Sequence, residues 1–230
     1  MGCLTKRYHE QVSVSSVWRL GVLFSLLWLA GCSSMYYATM EKLGIEKRDI
    51  MVDRVEDARD AQHEAQDTFR SSLERFQQVV DVPDTPLKAK YEQVREAYEQ
   101  SEAAADEVHE RIDAVQDVAE ALFDEWQDEL SRYDSASLRR SSERQLKNTE
   151  HHYQQLMKSM RQAEDRMTPV LSAFEDQMLF LKHNLNAQAI GALEGELGHI
   201  RQDVDQLIRQ MEVSIKDSEA FIQQFRSTAQ

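Results

Sequence analysis

Helix breakers are the scarcest residues in this chain, with three prolines and seven glycines in 230 positions. So few turns leave helix as the reading nearly everywhere, and the abundant Ala, Glu, Gln, Arg and Leu agree. Cysteine occurs only as Cys3 and Cys32, too few for a disulfide framework, so folding must rest on core packing. Positive charge is short as well: 27 Lys+Arg against 41 Asp+Glu give a formal net charge of −14. Such a surface repels nucleic-acid phosphates and anionic lipid headgroups, and it lacks the basic footprint of DNA or RNA binding. The longest apolar run, Leu20 to Ala30, is about half of the ~20 residues that a helix needs to cross a ~30 Å hydrocarbon core. No Gly-x-x-x-x-Gly-Lys-Ser/Thr loop is present to cradle phosphates, which excludes a P-loop ATPase. No Gly-x-Ser-x-Gly elbow and no serine with a paired base at useful spacing supports hydrolase chemistry.

What the chain does have is a long 3-4 hydrophobic repeat. From Leu87 to Tyr133 one heptad position reads Leu87, Val94, Ser101, Val108, Val115, Leu122, Glu129 and the other Tyr91, Tyr98, Ala105, Ile112, Ala119, Trp126, Tyr133. Twelve of these fourteen are apolar or aromatic, which predicts a narrow seam, a left-handed supercoil and a helix about 70 Å long that must pack on other long helices. Upstream, Met51, Ala58, Ala65, Ser72 and Val79 alternate with Val55, Gln62, Phe69 and Phe76, predicting a first helix over about 43–80. Pro83 and Pro86 end it, with Thr85 as N-cap and Pro86 at the first position of the next helix. So short a connection implies antiparallel neighbours.

After a break at Tyr133 to Ser137, Leu146, Tyr153, Met160, Met167, Phe174 and Leu181 mark a third helix. Pro169 falls inside it without shifting the heptad phase, which predicts a kink and not a stop. Leu193, Leu197, Ile200, Val204, Leu207, Met211, Ile215, Ile222 and Phe225 mark the last helix. Only Asn184, Asn186, Gly191, Gly195 and Gly198 punctuate the stretch between. A turn there gives up to four antiparallel rods, and no turn gives one very long third helix.

The first 31 residues differ from the rest, with Lys6, Arg7 and Arg19 against one acid, Glu10, ahead of the apolar run. That is the layout of a signal peptide. Its end, Leu29, Ala30, Gly31, Cys32, resembles the lipobox of bacterial lipoproteins, which implies cleavage before Cys32 and lipid on that cysteine. Ordinary secretory cleavage with a free Cys32 thiol is the alternative. Each buried acyl CH₂ contributes about 0.8 kcal/mol, so the two or three chains implied would hold the protein essentially permanently. Ser33 in place of aspartate implies, by the sorting rule of Gram-negative lipoproteins, passage to the outer membrane. Without the leader's three bases and one acid the remaining 199 residues carry 24 Lys+Arg and 40 Asp+Glu, a net charge of −16. The expected organisation is a leader at 1–31, a short membrane-proximal linker at 32–42 and one helical bundle at 43–230. Tyr36, Tyr37, Met40 and Leu43 in or beside that linker suit either interfacial contact or ordinary packing of a helix start.

Three stretches carry a family resemblance: Lys47-Arg48-Asp49-Ile50 followed by Val52-Asp53-Arg54-Val55-Glu56; Leu122-Phe123-Asp124-Glu125-Trp126; and Leu179-Phe180-Leu181-Lys182-His183-Asn184-Leu185-Asn186-Ala187-Gln188-Ala189-Ile190. Together, from roughly Tyr36 to the C-terminal end, they resemble the bacterial family called domain of unknown function 2959. The resemblance implies a predicted lipoprotein of gammaproteobacteria and brings no assigned activity and no active site.

Histidines and acids are the candidate metal ligands. A carboxylate-bridged di-metal site in a bundle needs Glu-x-x-His on two facing helices. Only Glu196 to His199 fits, with Asp60 to His63 and Asp106 to His109 as looser versions, and Leu197 on the seam turns its charged neighbours toward water. His151 and His152 are about 100° apart on a helix and cannot share a metal face. No metal and no cofactor is expected. His183, Asn184 and Asn186 sit in the most apolar stretch, either as a hydrogen-bonded core layer or helix-end cap, or as a patch that recognises a partner.

The expectation is an all-α, elongated antiparallel bundle or coiled coil of three to four long helices. It is a membrane-anchored, periplasm-facing envelope lipoprotein, a non-enzymatic scaffold that contacts other envelope proteins and no nucleic acid. The alternative is a bundle that opens along its seam to shelter a lipid or other apolar ligand, for which Tyr91, Tyr98, Tyr153, Met160 and Met167 would make an adaptable core.

Overall fold

The computed structural model describes residues 46–81, 86–184 and 187–227. Leu29, Ala30, Gly31, Cys32, Thr85 and Asn186 lie outside those residues, as do the stretches expected to be a leader and a membrane-proximal linker. Residues from Lys47 onward form one compact unit. Within it run α1 (Lys47–Asp81), α2 (Leu87–Leu130), α3 (Ala136–Asp165), α4 (Met167–His183) and α5 (Ala187–Ser227).

Cross-helix pairs fix the topology. Ser101 donates to Ser72, and Lys90 to the Val79 carbonyl, so α2 runs antiparallel to α1. Trp126 donates to Ser142 while Arg161 reaches back to Asp113, so α3 is antiparallel to α2. Arg226 meets Glu56 and Gln66 meets Ile208, so α5 is antiparallel to α1. With α2 against both α3 and α4, and α5 against α1, α3 and α4, the unit is an up-down-up-down bundle of four rods, the third made of α3 and α4.

The first rod follows its sequence stripe: Met51, Val55, Ala58, Gln62, Ala65, Phe69, Ser72, Phe76 and Val79 are all buried. In α2 the row Val94, Ser101, Val108, Val115, Leu122 is buried as expected, but the companion row departs from it. Lys90 and Ala97 are buried in the first half, whereas Tyr91 and Tyr98 are only half-buried. The companion row returns to the expected frame at Ile112 and Ala119, and at the end Leu130 replaces Glu129. A straight α-helix drifts about 20° per heptad against a 3.5-residue repeat, so over this length the buried face moves by one position. The start of α2 is corrected too: Pro86 stands just before the helix, and its carbonyl accepts from the Lys90 N–H at 3.1 Å.

The third rod is interrupted at one residue, Arg166 (φ −76°, ψ −15°), whose N–H bonds to the Ala163 carbonyl at 3.2 Å. Pro169 has no N–H for the Asp165 carbonyl, which is why the break falls three residues ahead of the proline. The buried face is unchanged across it: Met160, Met167, Phe174 and Leu181 are all buried. Phe174 stacks on Phe76 at 4.6 Å and on Phe69 at 6.3 Å, joining α4 to α1 through the centre of the bundle. Each fully buried side chain of this size contributes about 1.5–3 kcal/mol.

Asn184 (φ −128°, ψ 59°) closes α4, and its backbone and side-chain N–H groups both donate to the Phe180 carbonyl at 3.0 Å. The helix therefore ends at Asn184 and the next begins at Ala187, so Gly191, Gly195 and Gly198 belong inside α5, each with open space where a Cβ would stand. The α5 seam continues through Ile200, Val204, Leu207, Met211, Ile215, Ile222 and Phe225, with Ser214, Ser218 and Phe221 buried beside it. Among the described residues no helix is long and apolar enough to cross a membrane.

Candidate functional site

The two ends of the bundle differ in character. At the end where α1 begins, the first two resemblance stretches come together. Lys47 Nζ lies 2.8 Å from Glu125 Oε2, and the Arg48 guanidinium sits 5.6 Å from the Trp126 ring and 4.8 Å from the Phe225 ring. Trp126 Nε1 donates to Ser142 Oγ at 2.7 Å. One cation between two aromatic faces thus ties α1, α2, α3 and α5 at a single level, each cation–π contact contributing about 0.5–2 kcal/mol. Nearby, a cavity of about 20 Å³, room for one water, is lined by Thr149, His152, Phe221 and Phe225 among others. An open groove of about 510 Å³ runs between the end of α2 and the start of α3, lined by buried Leu130 and Leu146 and by Arg139, Glu143, Lys147 and Glu150, with Gln127 and Ser131.

The opposite end carries the third stretch. Leu179 and Phe180 are each 39% exposed on the last turns of α4, next to exposed Lys182 and His183. Asn184 is half-buried and acts as the helix-end cap, while His183 belongs to the surface. An adjacent leucine and phenylalanine in water, followed by a lysine and an imidazole at a helix C-terminus, make a compact face that can receive an apolar or acidic partner surface.

Between the ends, His109 joins α2 to α3. Its ring meets the Glu164 carboxylate on one side and Asp113 Oδ2 at 3.4 Å on the other. The hydrogen bond to Glu164, and then the charge of Asp113, raise the imidazole pKa above its ordinary value. Arg161 neutralises both acids, lying 2.9 Å from Glu164 Oε2 and bonded to Asp113. Among the described residues no group of three His, Cys, Asp or Glu is arranged to hold a metal. His63 and His199 are exposed, His151 pairs with Gln155 at 3.1 Å, and His152 with Gln224 on α5 at 2.8 Å.

The tyrosines expected inside the seam stand at its margin. Tyr98 donates to Glu102 at 2.7 Å, which pushes its phenol pKa up to about 12. Burial pushes Tyr153, edge-on to Phe123 at 5.3 Å, to about 12 as well. Met160 and Met167 are buried as expected.

Sequence reasoning missed two interior features. Lys90 is 2% exposed and donates to the Val79 carbonyl at 2.6 Å, a cation on the C-terminal end of α1, which has no basic residue in its own last turn. Gln62 and Ser214 are fully buried, and the Gln62 amide nitrogen and oxygen and the Ser214 hydroxyl have no hydrogen-bond partner.

Fold and surfaces define an all-α bundle of four antiparallel rods with a filled centre. The family described as protein of unknown function (DUF2959) matches residues 36–225, and the chain belongs to it. Neither a curated protein nor a solved structure matches the chain.

Proposed function

We propose that this protein is a non-enzymatic scaffold or adaptor of the cell envelope, held by lipid on Cys32 at the periplasmic face of the outer membrane. The carrying observation is the exposed Leu179–Phe180 pair beside His183, at the end of the bundle remote from the start of α1. The spelling of Leu29 to Cys32 supports the anchor, and a rod about 50–65 Å long supports reach across a gap. The rival reading, an apolar-ligand carrier, loses support because Phe69, Phe76 and Phe174 fill the seam and Tyr91, Tyr98 and Tyr153 lie at its edge.

The test is photo-crosslinking in the native host with a photoreactive residue at Phe180 or His183, and at Val213, which is 49% exposed on α5, as the control. A discrete protein adduct from Phe180 and His183 but not Val213 is expected. Lipid adducts only, or none, would overturn the adaptor reading. Mass determination of the N-terminal peptide tests the anchor separately.

A further inference from the structure

The bundle is acidic, yet one short segment of it is basic. The first turns of α3 carry Arg139, Arg140, Arg144 and Lys147 against a single acid, Glu143, in a chain whose net charge is −14. All four bases are exposed. Arg139 lies 3.7 Å from Glu143, but among the described residues Arg140, Arg144 and Lys147 have no ion-pair partner. Among the described residues the most exposed large apolar side chain is in the same place: Leu138 is 59% exposed, with Tyr133 at 40% on the connection before it. Helical spacing puts Leu138 on the bundle side of α3 and Arg140, Arg144 and Lys147 on its outer side, so leucine and cations meet one surface only end-on, at the tip of the bundle, where exposed apolar and cationic groups suit a lipid–water interface.

Position agrees with chemistry. The α2–α3 connection stands at the end where α1 begins, as the Lys47–Glu125 and Trp126–Ser142 contacts require. Cys32 precedes Lys47 by 15 residues, which span at most about 50 Å when fully extended, so an anchor there keeps this end within reach of the membrane.

We propose that the first turns of α3, with Arg140, Arg144, Lys147 and Leu138, dock on anionic lipid headgroups of the membrane that holds the anchor. This rests on the lipid-anchor reading above. Overall negative charge does not oppose it, because charges separated by more than about 8 Å at physiological ionic strength are largely screened. Acids of the same end compete: Glu125, Asp128 and Glu129 stand on α2, Asp134 on the connection, and Glu143 and Glu150 on the groove side of α3, so the basic side is the outer side of α3. The positive end of the α3 dipole adds to it.

The experiment uses the mature lipidated protein with Leu138→Cys as its one free thiol, carrying an environment-sensitive fluorophore. The protein is reconstituted into vesicles of phosphatidylcholine alone or with a minority of phosphatidylglycerol. Flotation reads the anchor, and protection of the label from an aqueous quencher reads the docking. Expected is flotation with both vesicle types, but protection only with phosphatidylglycerol, lost at high salt. A label at Val213→Cys stays exposed throughout. Each of R140E, R144E and K147E changes the charge by two units, each unit lowering the docked-to-free ratio by roughly fivefold, so each variant lowers it by roughly 25-fold. A floating protein whose Leu138 label is quenched equally in both vesicles, or whose protection survives all three reversals or high salt, overturns the docking and leaves the anchor intact. A protein that floats with neither overturns the anchor and the docking with it.

Discussion

Gln62→Met should make the protein more stable. Gln62 is fully buried in the middle of α1, and neither its amide nitrogen nor its oxygen has a partner. The α1/α5 register, set by Glu56 with Arg226 at 2.9 Å and Gln66 with the Ile208 carbonyl at 3.1 Å, places it level with Ser214, whose hydroxyl is unpartnered too. Leaving a buried donor or acceptor unsatisfied costs about 1–3 kcal/mol, whereas methionine has similar volume, no strong polar atom and enough flexibility to fill the same space. Taking about 2 kcal/mol for the amide as a whole, and about 2–4 °C per kcal/mol for a domain of this size, the melting temperature should rise by about 4–8 °C. Thermal unfolding followed by circular dichroism measures this, with urea unfolding as a check that the midpoint moves while the m-value stays constant. Ser214→Ala should be neutral or slightly stabilising by the same logic. A Gln62→Met protein that melts at or below the parent would refute the reasoning, since it would mean that the amide is hydrogen-bonded in solution, through ordered water or to the Ser214 hydroxyl.

Three further outcomes follow from particular contacts. Gly191→Ala, Gly195→Ala and Gly198→Ala should each stabilise α5 by about 0.5–1 kcal/mol, because each site is helical and has open space for a Cβ, and hydrogen exchange at 191–200 should slow accordingly. Lys90→Leu should destabilise by about 1.5–3 kcal/mol in urea unfolding, since it leaves the Val79 carbonyl without the ammonium that now lies 2.6 Å away. His109 has a raised pKa when folded, so its contribution is fully present below the unfolded value of 6.5 and is lost as pH rises through the folded value. With 56% of the side chain exposed, solvent screening limits the effect to no more than about 0.5 kcal/mol. Unfolding midpoints on either side of that window should show a small loss toward alkaline pH, and His109→Gln should abolish it.

How much of this was legible in the sequence depended on whether a residue's environment is set by its own helix or by a neighbour. The α1 stripe from Met51 to Val79 was readable because the 3-4 spacing of apolar residues is a property of one helix. A strict heptad frame misplaces Tyr91 and Tyr98 because it ignores the drift of a straight helix, and aromatic rings at the margin look the same in sequence as rings in the seam. Lys90 could not be found, since lysine reads as solvent-facing until the end of α1 is known to lie above it. Pro169 reads in sequence as a kink within one helix and not a stop, whereas the helix is broken in two at Arg166, where the missing proline N–H is felt. Lys47, Arg48, Glu125 and Trp126 stand in separate strings of the sequence that do not reveal that they meet, because the register between α1 and α2 is not written in either helix alone. His183, Asn184 and Asn186 were grouped by sequence, whereas Asn184 caps the helix and the exposed neighbours of His183 are Leu179 and Phe180.

Net charge was the least informative number read from the sequence. In a compact globule every surface charge lies within a few Debye lengths of every other, so a total describes the field a partner meets. In a bundle whose first rod alone has 35 residues, about 52 Å, the two ends are separated by some six screening lengths of about 8 Å. Each end therefore presents its own electrostatics. One has the unpaired cations of α3 within a few turns of the α2–α3 connection, and the other the Leu179–Phe180 face with Lys182 and His183. The acidic helix faces between them contribute to solubility and spacing and are too distant to decide what either end binds. For a rod, the physically meaningful inventory of charge is the inventory per end, and that requires knowing which turns of the chain the fold places together.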